Sequence, residues 1–270
     1  MAMECYVNSI ATDGGITSDV KTLIPDAGLR RRMSRIVKTA VAVAAECAGG
    51  IEGADDIDAV ITATGWGCLA DSERFLRNVI ADGEQLLNPT PFIQSTFNTV
   101  GGQIALLRGN HCYNVTYVNR SHSFEDALLD AMMRLADGDS RDVLVGAFDE
   151  QTPSQHRIME RMGLFRGTPC GEGALFARLS AVPADKSIAR LALLDFPSRS
   201  LTADECRRYA TKDDALFMIN DFRKYGLWPT ASAMVFAAAV DSVARGAGEV
   251  VVYNEYLGGK PAVMVLQCVG

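Results

Sequence analysis

The sequence predicts a layered α/β fold, and three observations carry that prediction. Strand-like and helix-like segments alternate along the chain. The run Asp142 to Phe148 (DVLVGAF) is almost wholly apolar, as a strand covered on both faces must be. A length of 270 residues with 48% hydrophobic content suffices for one large core or two modest ones.

Each element follows from its pattern. A long helix is expected from Pro25-Asp26 to the Gly49-Gly50 stop, with Leu29, Met33, Ile36, Val37, Ala40 and Ala44 at helical spacing. Its opposite face carries Arg30, Arg31, Arg32, Arg35 and Lys38, the one concentrated basic patch of an acidic chain. Asp58 to Thr64 (DAVITAT) reads as a buried strand, ended by Gly65-Trp66-Gly67 before a helix over Ser72 to Ile80. After Asn88-Pro89-Thr90-Pro91, the run FIQSTFNTVGGQIALL has a broken start and a helix ending near Arg108-Gly109. Asn114 to Asn119 alternates like a strand. Ser123 with Asp126 resembles a capping box, and Phe124, Ala127, Leu128, Ala131, Met132 and Leu135 form the apolar face of a helix up to Gly138. Beyond Gly171-Glu172-Gly173, strands are expected over ALFARLS and Ile188 to Phe196, helices over Thr202 to Ile219 and Pro229 to Arg245, and closing strands over Glu249 to Tyr253 and Ala262 to Cys268. No linker rich in Pro, Gly or Ser divides the chain, so only a soft boundary is drawn near Pro183.

Several function classes are disfavoured by composition. A formal net charge of −7 opposes binding to phosphate backbones, so no nucleic-acid partner is expected. The longest apolar runs, Thr39 to Cys47 and Ala231 to Val240, are shorter than the roughly 18 residues of a membrane span. The N-terminus lacks the basic and apolar stretches of a secretory signal, which gives the expectation of a cytoplasmic protein. The seven cysteines are scattered, with no CxxC pair, as for reduced thiols. With only His111, His122 and His156 beside them, no metal site and no cofactor are expected. Gly65-Trp66-Gly67 is no dinucleotide fingerprint, because Ala70 stands where the last Gly of G-x-G-x-x-G belongs.

Three ordered segments carry a resemblance. Pro91-Phe92, Asn98 and Gly101-Gly102-Gln103-Ile104-Ala105 form the first; NVTYVNRSHSFEDALLDAMMRL followed by DVLVGAFDE forms the second; Gly171-Glu172-Gly173-Ala174 forms the third. Together they resemble the β-ketoacyl synthases of the thiolase superfamily over residues 5 to 180, and more faintly over 222 to 268. The resemblance implies a thiolase-like α-β-α-β-α sandwich with an abbreviated second half: a ketosynthase N-terminal-like half over 1–183 and a shortened C-terminal half over 184–270, in one compact unit.

In that family a Cys at the positive end of the buried helix accepts the acyl chain. Counting back from Ala127 reaches Ser121, and the family's second His falls on Leu227 in Gly226-Leu227-Trp228-Pro229. No histidine follows His156. The resemblance therefore implies a non-catalytic, chain-length-factor type of subunit, as in aryl polyene and flexirubin pathways. Its partner would be an active β-ketoacyl-carrier-protein synthase, or a second copy of the chain in a structural homodimer. The pocket and interface residues would be Gln94, Phe97, Asn98, Val115, Tyr117, Asn119, Arg120, Ser121 and His122, and an acyl carrier protein would meet Arg30, Arg31, Arg32, Arg35 and Lys38. An enzyme reading stays open beside it: an acyl-transferase, hydrolase or 3-oxoacyl synthase using Ser121, with His122 oriented by Glu125 or Asp126. A third role for Ser121, or for Ser123, is to cap the buried helix.

Overall fold

Nine strands form one sheet in the order β3-β2-β4-β5-β1-β6-β9-β8-β7 in the computed structural model, which describes residues 3–50, 57–165 and 167–270. The first half comprises β1 (Cys5–Thr12), α1 (Val20–Leu23), α2 (Ala27–Arg32), α3 (Arg35–Cys47), β2 (Ala59–Ala63), α4 (Leu69–Ala81), α5 (Pro89–Ser95) and α6 (Thr99–Arg108). It continues through β3 (Tyr113–Tyr117), α7 (Ser123–Asp137), β4 (Asp142–Asp149), α8 (Pro153–Arg161) and β5 (Gly173–Ser180). The second half holds β6 (Ala189–Asp195), α9 (Ala203–Arg207), β7 (Leu216–Ile219), α10 (Phe222–Tyr225), α11 (Ser232–Ala244), β8 (Glu249–Asn254) and β9 (Ala262–Gln267).

Period-2 alternation sorts the strands' side chains into layers. Ala59, Ile61 and Ala63 of β2 and Val250 and Val252 of β8 join one core with the apolar faces of α7 and α11. Val60 faces the opposite way, into a second core under α3 and α6, and Val251, Val263 and Val265 face a third beside Leu201 and Tyr209. The sheet therefore curls around α7 and α11, whose Phe124 and Phe236 rings meet edge to face at 5.6 Å. The result is the α-β-α-β-α sandwich: outer helices, strands, two central helices, strands, and a thin outer cover.

The halves repeat one topology. β1 pairs antiparallel with β5, β5 antiparallel with β4, and β4 parallel with β2. Likewise β6 pairs antiparallel with β9, β9 antiparallel with β8, and β8 parallel with β7. The first half adds β3 beyond β2; among the described residues β7 has no such neighbour, which is the sense in which the second half is shortened. The connection from β2 to α7 runs over residues 64–122, whereas that from β7 to α11 takes only 220–231. Pro183 lies between β5 and β6, both of which pair with β1.

The expected helix over 25–49 is two helices, because Met33 and Ser34 are extended (ψ 132° and 173°). The break is filled from outside the segment: Gln94 Nε2 donates to Arg32 O and Gln94 Oε1 accepts from Ser34 N. The helix expected over 202–219 also ends early. A capping box of Thr202 and Glu205 starts α9, but Leu216–Ile219 forms β7 because β8 offers it a ladder. A short apolar run reads equally as helix or strand until a pairing edge exists. Strand β1 and helix α8 have no counterpart among the expected elements.

Candidate functional site

The site is built where α7 begins. Ser121 sits in a single 3₁₀ turn, Arg120–His122, ahead of the helix. Arg120 takes a positive φ of 49° to make it. Ser123 is no capping-box residue. Its Oγ accepts from Asn119 N (2.8 Å) and lies within hydrogen-bond reach of Thr64 O (2.9 Å) and Arg120 O (2.8 Å), tying the turn to the end of β2. Asp126 instead accepts from Asn119 Nδ2 at 2.8 Å. Neither Ser121 nor Ser123 caps α7, since its N-cap position is His122, without a side-chain bond.

Ser121 is half-buried beneath the loop that joins β8 to β9. A methyl group added to Gly259 would lie 3.7 Å from Ser121 Oγ. His122 is turned onto the same loop: its Nε2 pairs with Lys260 O, and its ring lies tilted against Phe196, with the centroids 5.6 Å apart. Consecutive residues of a turn point in different directions, and here the imidazole is engaged away from the serine.

The second half contributes Gly226 to Thr230. Leu227 is 1% exposed, and its backbone N–H donates to Pro169 O at 2.8 Å. Trp228 is equally buried and donates Nε1–H to Tyr225 O at 2.9 Å. Two glycines make room for this loop: a Cβ at Gly171 would lie 2.4 Å from Trp228 Cδ1, and one at Gly65 would lie 2.3 Å from Pro229 Cβ. The position the resemblance assigns to a histidine is therefore packed hydrocarbon.

Asp149, at the end of β4, locks this loop in place. Its buried carboxylate accepts from Thr64 Oγ1, Gly65 N and Trp66 N on one oxygen, and from Thr230 N and Thr230 Oγ1 on the other. Burial pushes this carboxyl above its ordinary range, and the surrounding donors pull it back. Glu125, in the first turn of α7, is also fully buried. Its Oε1 accepts from Asn254 Nδ2 at 2.7 Å, and Asn254 Oδ1 accepts from Asn220 Nδ2 at 2.9 Å. Glu125 Oε2 has no partner at hydrogen-bond geometry among the described residues; burial pushes this carboxyl up, and the Ser232 hydroxyl nearby pulls it partly back. Asp149, Asn220 and Asn254 are not among the expected site residues; the acidic pair closing the apolar run DVLVGAFDE is the only signal in the sequence that pointed to one of them.

The expected interface residues fall at one end of the sheet, around its edge strand β3. Val115 and Tyr117 are half-buried, and Asn98, Asn119 and Arg120 are exposed. Burial and the nearby Asp130 push the Tyr117 hydroxyl up to about 12. Asn114 Nδ2 donates to Gly101 O at 2.9 Å, across a gap that only a glycine leaves open. Phe92, Ile93 and Phe97 are 54%, 59% and 45% exposed. The Phe97 ring lies on Gly67, where a Cβ would come within 2.7 Å of it. Gln94 turns away from this face to the break between α2 and α3.

The basic residues divide between pairing within the fold and lining a shared cleft. Arg35 forms a bidentate pair with Glu172, at 2.6 Å for each bond. Arg30 donates to Ile24 O and Pro25 O, and Arg32 to Gly28 O. Arg30, Arg31 and Lys38 line a cleft together with Lys21. Among the described residues no group of three or more His, Cys, Asp or Glu side chains is placed to hold a metal ion, and no helix is long and apolar enough to cross a membrane.

Comparison with known proteins places this geometry. A family profile described as "Beta-ketoacyl synthase, N-terminal domain" matches residues 16–187, more than half of the chain. No curated protein sequence matches. Many solved structures share the fold, among them these three. The AntDE:AntF assembly, a type II polyketide synthase acyl-carrier protein in complex with its ketosynthase bound to the hexaketide, has a TM-score of 0.78 at 11% identity, covering 98% of this chain and 99% of that one. The ishigamide ketosynthase/chain length factor has a TM-score of 0.70 at 18% identity, covering 94% and 86%. A ketosynthase (ApeO) in complex with its chain length factor (ApeC) from Xenorhabdus doucetiae has a TM-score of 0.62 at 15% identity, covering 97% and 98%.

Proposed function

The chain belongs to the β-ketoacyl synthase family, and from that premise we propose that it is a non-catalytic subunit of the chain-length-factor type, which pairs with an active β-ketoacyl-carrier-protein synthase. One observation carries the reading: at the head of α7, no base among the described residues is hydrogen-bonded to the Ser121 hydroxyl. A serine hydroxyl needs an adjacent base to become a nucleophile. His122 is engaged by Lys260 O, and Leu227 is buried hydrocarbon.

Two further features support the reading. Strand β3 lies at the edge of the sheet, and Phe92, Ile93 and Phe97, in the segment that resembles the family's interface, are large exposed apolar side chains, as a subunit that pairs through these segments requires. Two of the similar structures are described as ketosynthase and chain-length-factor pairs, and a third contains an acyl carrier protein. On this reading Arg31 and Lys38 are the side chains left to meet an acidic carrier protein. The shortened second half is the feature behind a finer assignment to pathways of the aryl polyene and flexirubin kind.

The test is reconstitution with an active ketosynthase and its carrier proteins. Neither an acyl adduct nor a condensation product forms on the isolated chain, whereas a one-to-one complex elongates. A Ser121-linked acyl group detected by mass spectrometry defeats the reading, and so does a chain that stays monomeric beside the ketosynthase.

A further inference from the structure

Helix α2 ends and helix α3 begins within two residues, and such a break orphans backbone groups at both new ends. Here the two groups nearest the break, Arg32 O and Ser34 N, are taken up by one side chain from about sixty residues away, Gln94. No capping side chain of α3 competes for the role, because the Ser34 hydroxyl makes no cap bond. Gln94 therefore replaces the local hydrogen bonds that a continuous helix would have made.

Its own position gives this contact a consequence. Gln94 belongs to α5, and its neighbours Phe92 and Ile93 are exposed large apolar side chains. The segment it grips carries Arg30, Arg31 and Arg32 before the break and Arg35 and Lys38 after it. Arg35 anchors the far side of the break to Glu172, so α3 is held to the body of the fold. The near side, α2, is only six residues long and has no fully buried residue. A helix that short has little stability of its own and takes its orientation from what holds its ends.

We propose that Gln94 is a positioning residue, which registers the arginine-bearing α2 to the partner-facing helix α5. An acidic protein recognised by that segment is thereby presented beside the second subunit. The first half of this statement concerns the chain alone; the second rests on the function proposed above.

The experiment compares wild type with Gln94→Met, which keeps the side-chain length without polar atoms, and Gln94→Glu, which keeps the acceptor for Ser34 N and loses the donor to Arg32 O. On the isolated chain, limited trypsin cleavage after Arg30, Arg31 and Arg32 is expected to rise about tenfold in Gln94→Met and less in Gln94→Glu, and exchange of the Ser34 amide to rise alongside. The melting temperature reports whether the fold is retained, and Gln94→Glu serves should Gln94→Met fail to fold. Cleavage and exchange unchanged from wild type overturn the positioning role. In the second arm each variant is assembled with the ketosynthase and titrated with holo acyl carrier protein. The variant pair should assemble normally and bind the carrier several-fold more weakly. Equal carrier binding by both pairs overturns the presentation role; a wild-type pair that never assembles or never binds the carrier counts against the proposed function, and leaves the cleavage and exchange results to judge Gln94.

Discussion

Asp149 holds Thr230 by both of its polar groups: one carboxylate oxygen accepts from the Thr230 backbone N–H at 3.2 Å and from its hydroxyl at 2.7 Å. The other oxygen accepts from the β2–α4 turn, so one buried side chain ties both halves of the chain together at the head of α7.

Removing that acceptor leaves several buried donors without partners. Asp149→Ala is expected to cost on the order of 3 kcal/mol of unfolding free energy, with Asp149→Asn costing less because one carbonyl acceptor remains. Denaturant titration gives both values. A loss in Asp149→Ala within the noise of a surface substitution removes Asp149 as the lock.

Glu125 gives a pH dependence of definite sign. Its carboxyl titrates higher in the folded chain than the value of about 4.3 it has when unfolded, because burial disfavours its charge. Between the two values the folded chain holds a proton that the unfolded chain has lost. The stability contributed by Glu125 is therefore full below the unfolded value and falls as pH rises through the folded one. Glu125→Gln keeps an oxygen for Asn254 Nδ2 and has nothing to deprotonate. We expect it to be more stable than wild type at pH 8 by denaturant titration, with a flatter profile of stability against pH. A variant with the wild-type slope contradicts this.

Ser121→Ala tests the chemistry. With no base hydrogen-bonded to the serine, the substitution should leave the melting temperature within about 2 °C and the product yield of the reconstituted pair within about twofold, because it deletes only a half-exposed hydroxyl. Loss of product with the pair still assembled would restore the enzyme reading.

Phe97 separates packing from gating. Truncating a fully buried Phe costs roughly 3 to 5 kcal/mol, which is the expectation for Phe124→Ala. Phe97 is 45% exposed with its ring on Gly67, so Phe97→Ala should cost about 1 kcal/mol. If its exposed face closes the partner's acyl tunnel, the pair carrying Phe97→Ala makes longer chains. An unchanged product distribution assigns Phe97 to packing alone.

The exposed Phe92 and Ile93 can be tested without disturbing the core. Phe92→Asp combined with Ile93→Asp puts two charges on exposed positions and should raise the dissociation constant of the pair at least tenfold, with little change in melting temperature. Analytical ultracentrifugation of the mixed subunits measures it. Normal assembly of the double variant moves the interface elsewhere.

Much of this architecture was legible in the chain. The strands β2, β4, β8 and β9 follow from short, nearly continuous apolar runs and the apolar face of α7 from its helical spacing, because both signals lie in neighbours along the chain. Gly109 and Gly138 end their helices in the left-handed conformation at the expected places. Ser121 and Leu227 were legible for the same reason: which residue stands at a position is written in the chain, and the proposal takes from the resemblance what that position does.

What the sequence determined by itself was therefore the α/β class and most of the central elements, together with the residues, Ser121 and Leu227, on which the proposed non-catalytic role rests. What only the tertiary structure decided was every feature in which distant segments exchange hydrogen bonds. The break between α2 and α3 exists because Gln94 reaches it, β7 is a strand because β8 is beside it, and Ser123 serves the end of β2 rather than its own helix. Asp149 and Glu125 take their importance from burial beneath loops of the second half. A polar group inside a protein must find a partner wherever the fold places one, and that partner's position is set by packing, which no local pattern records.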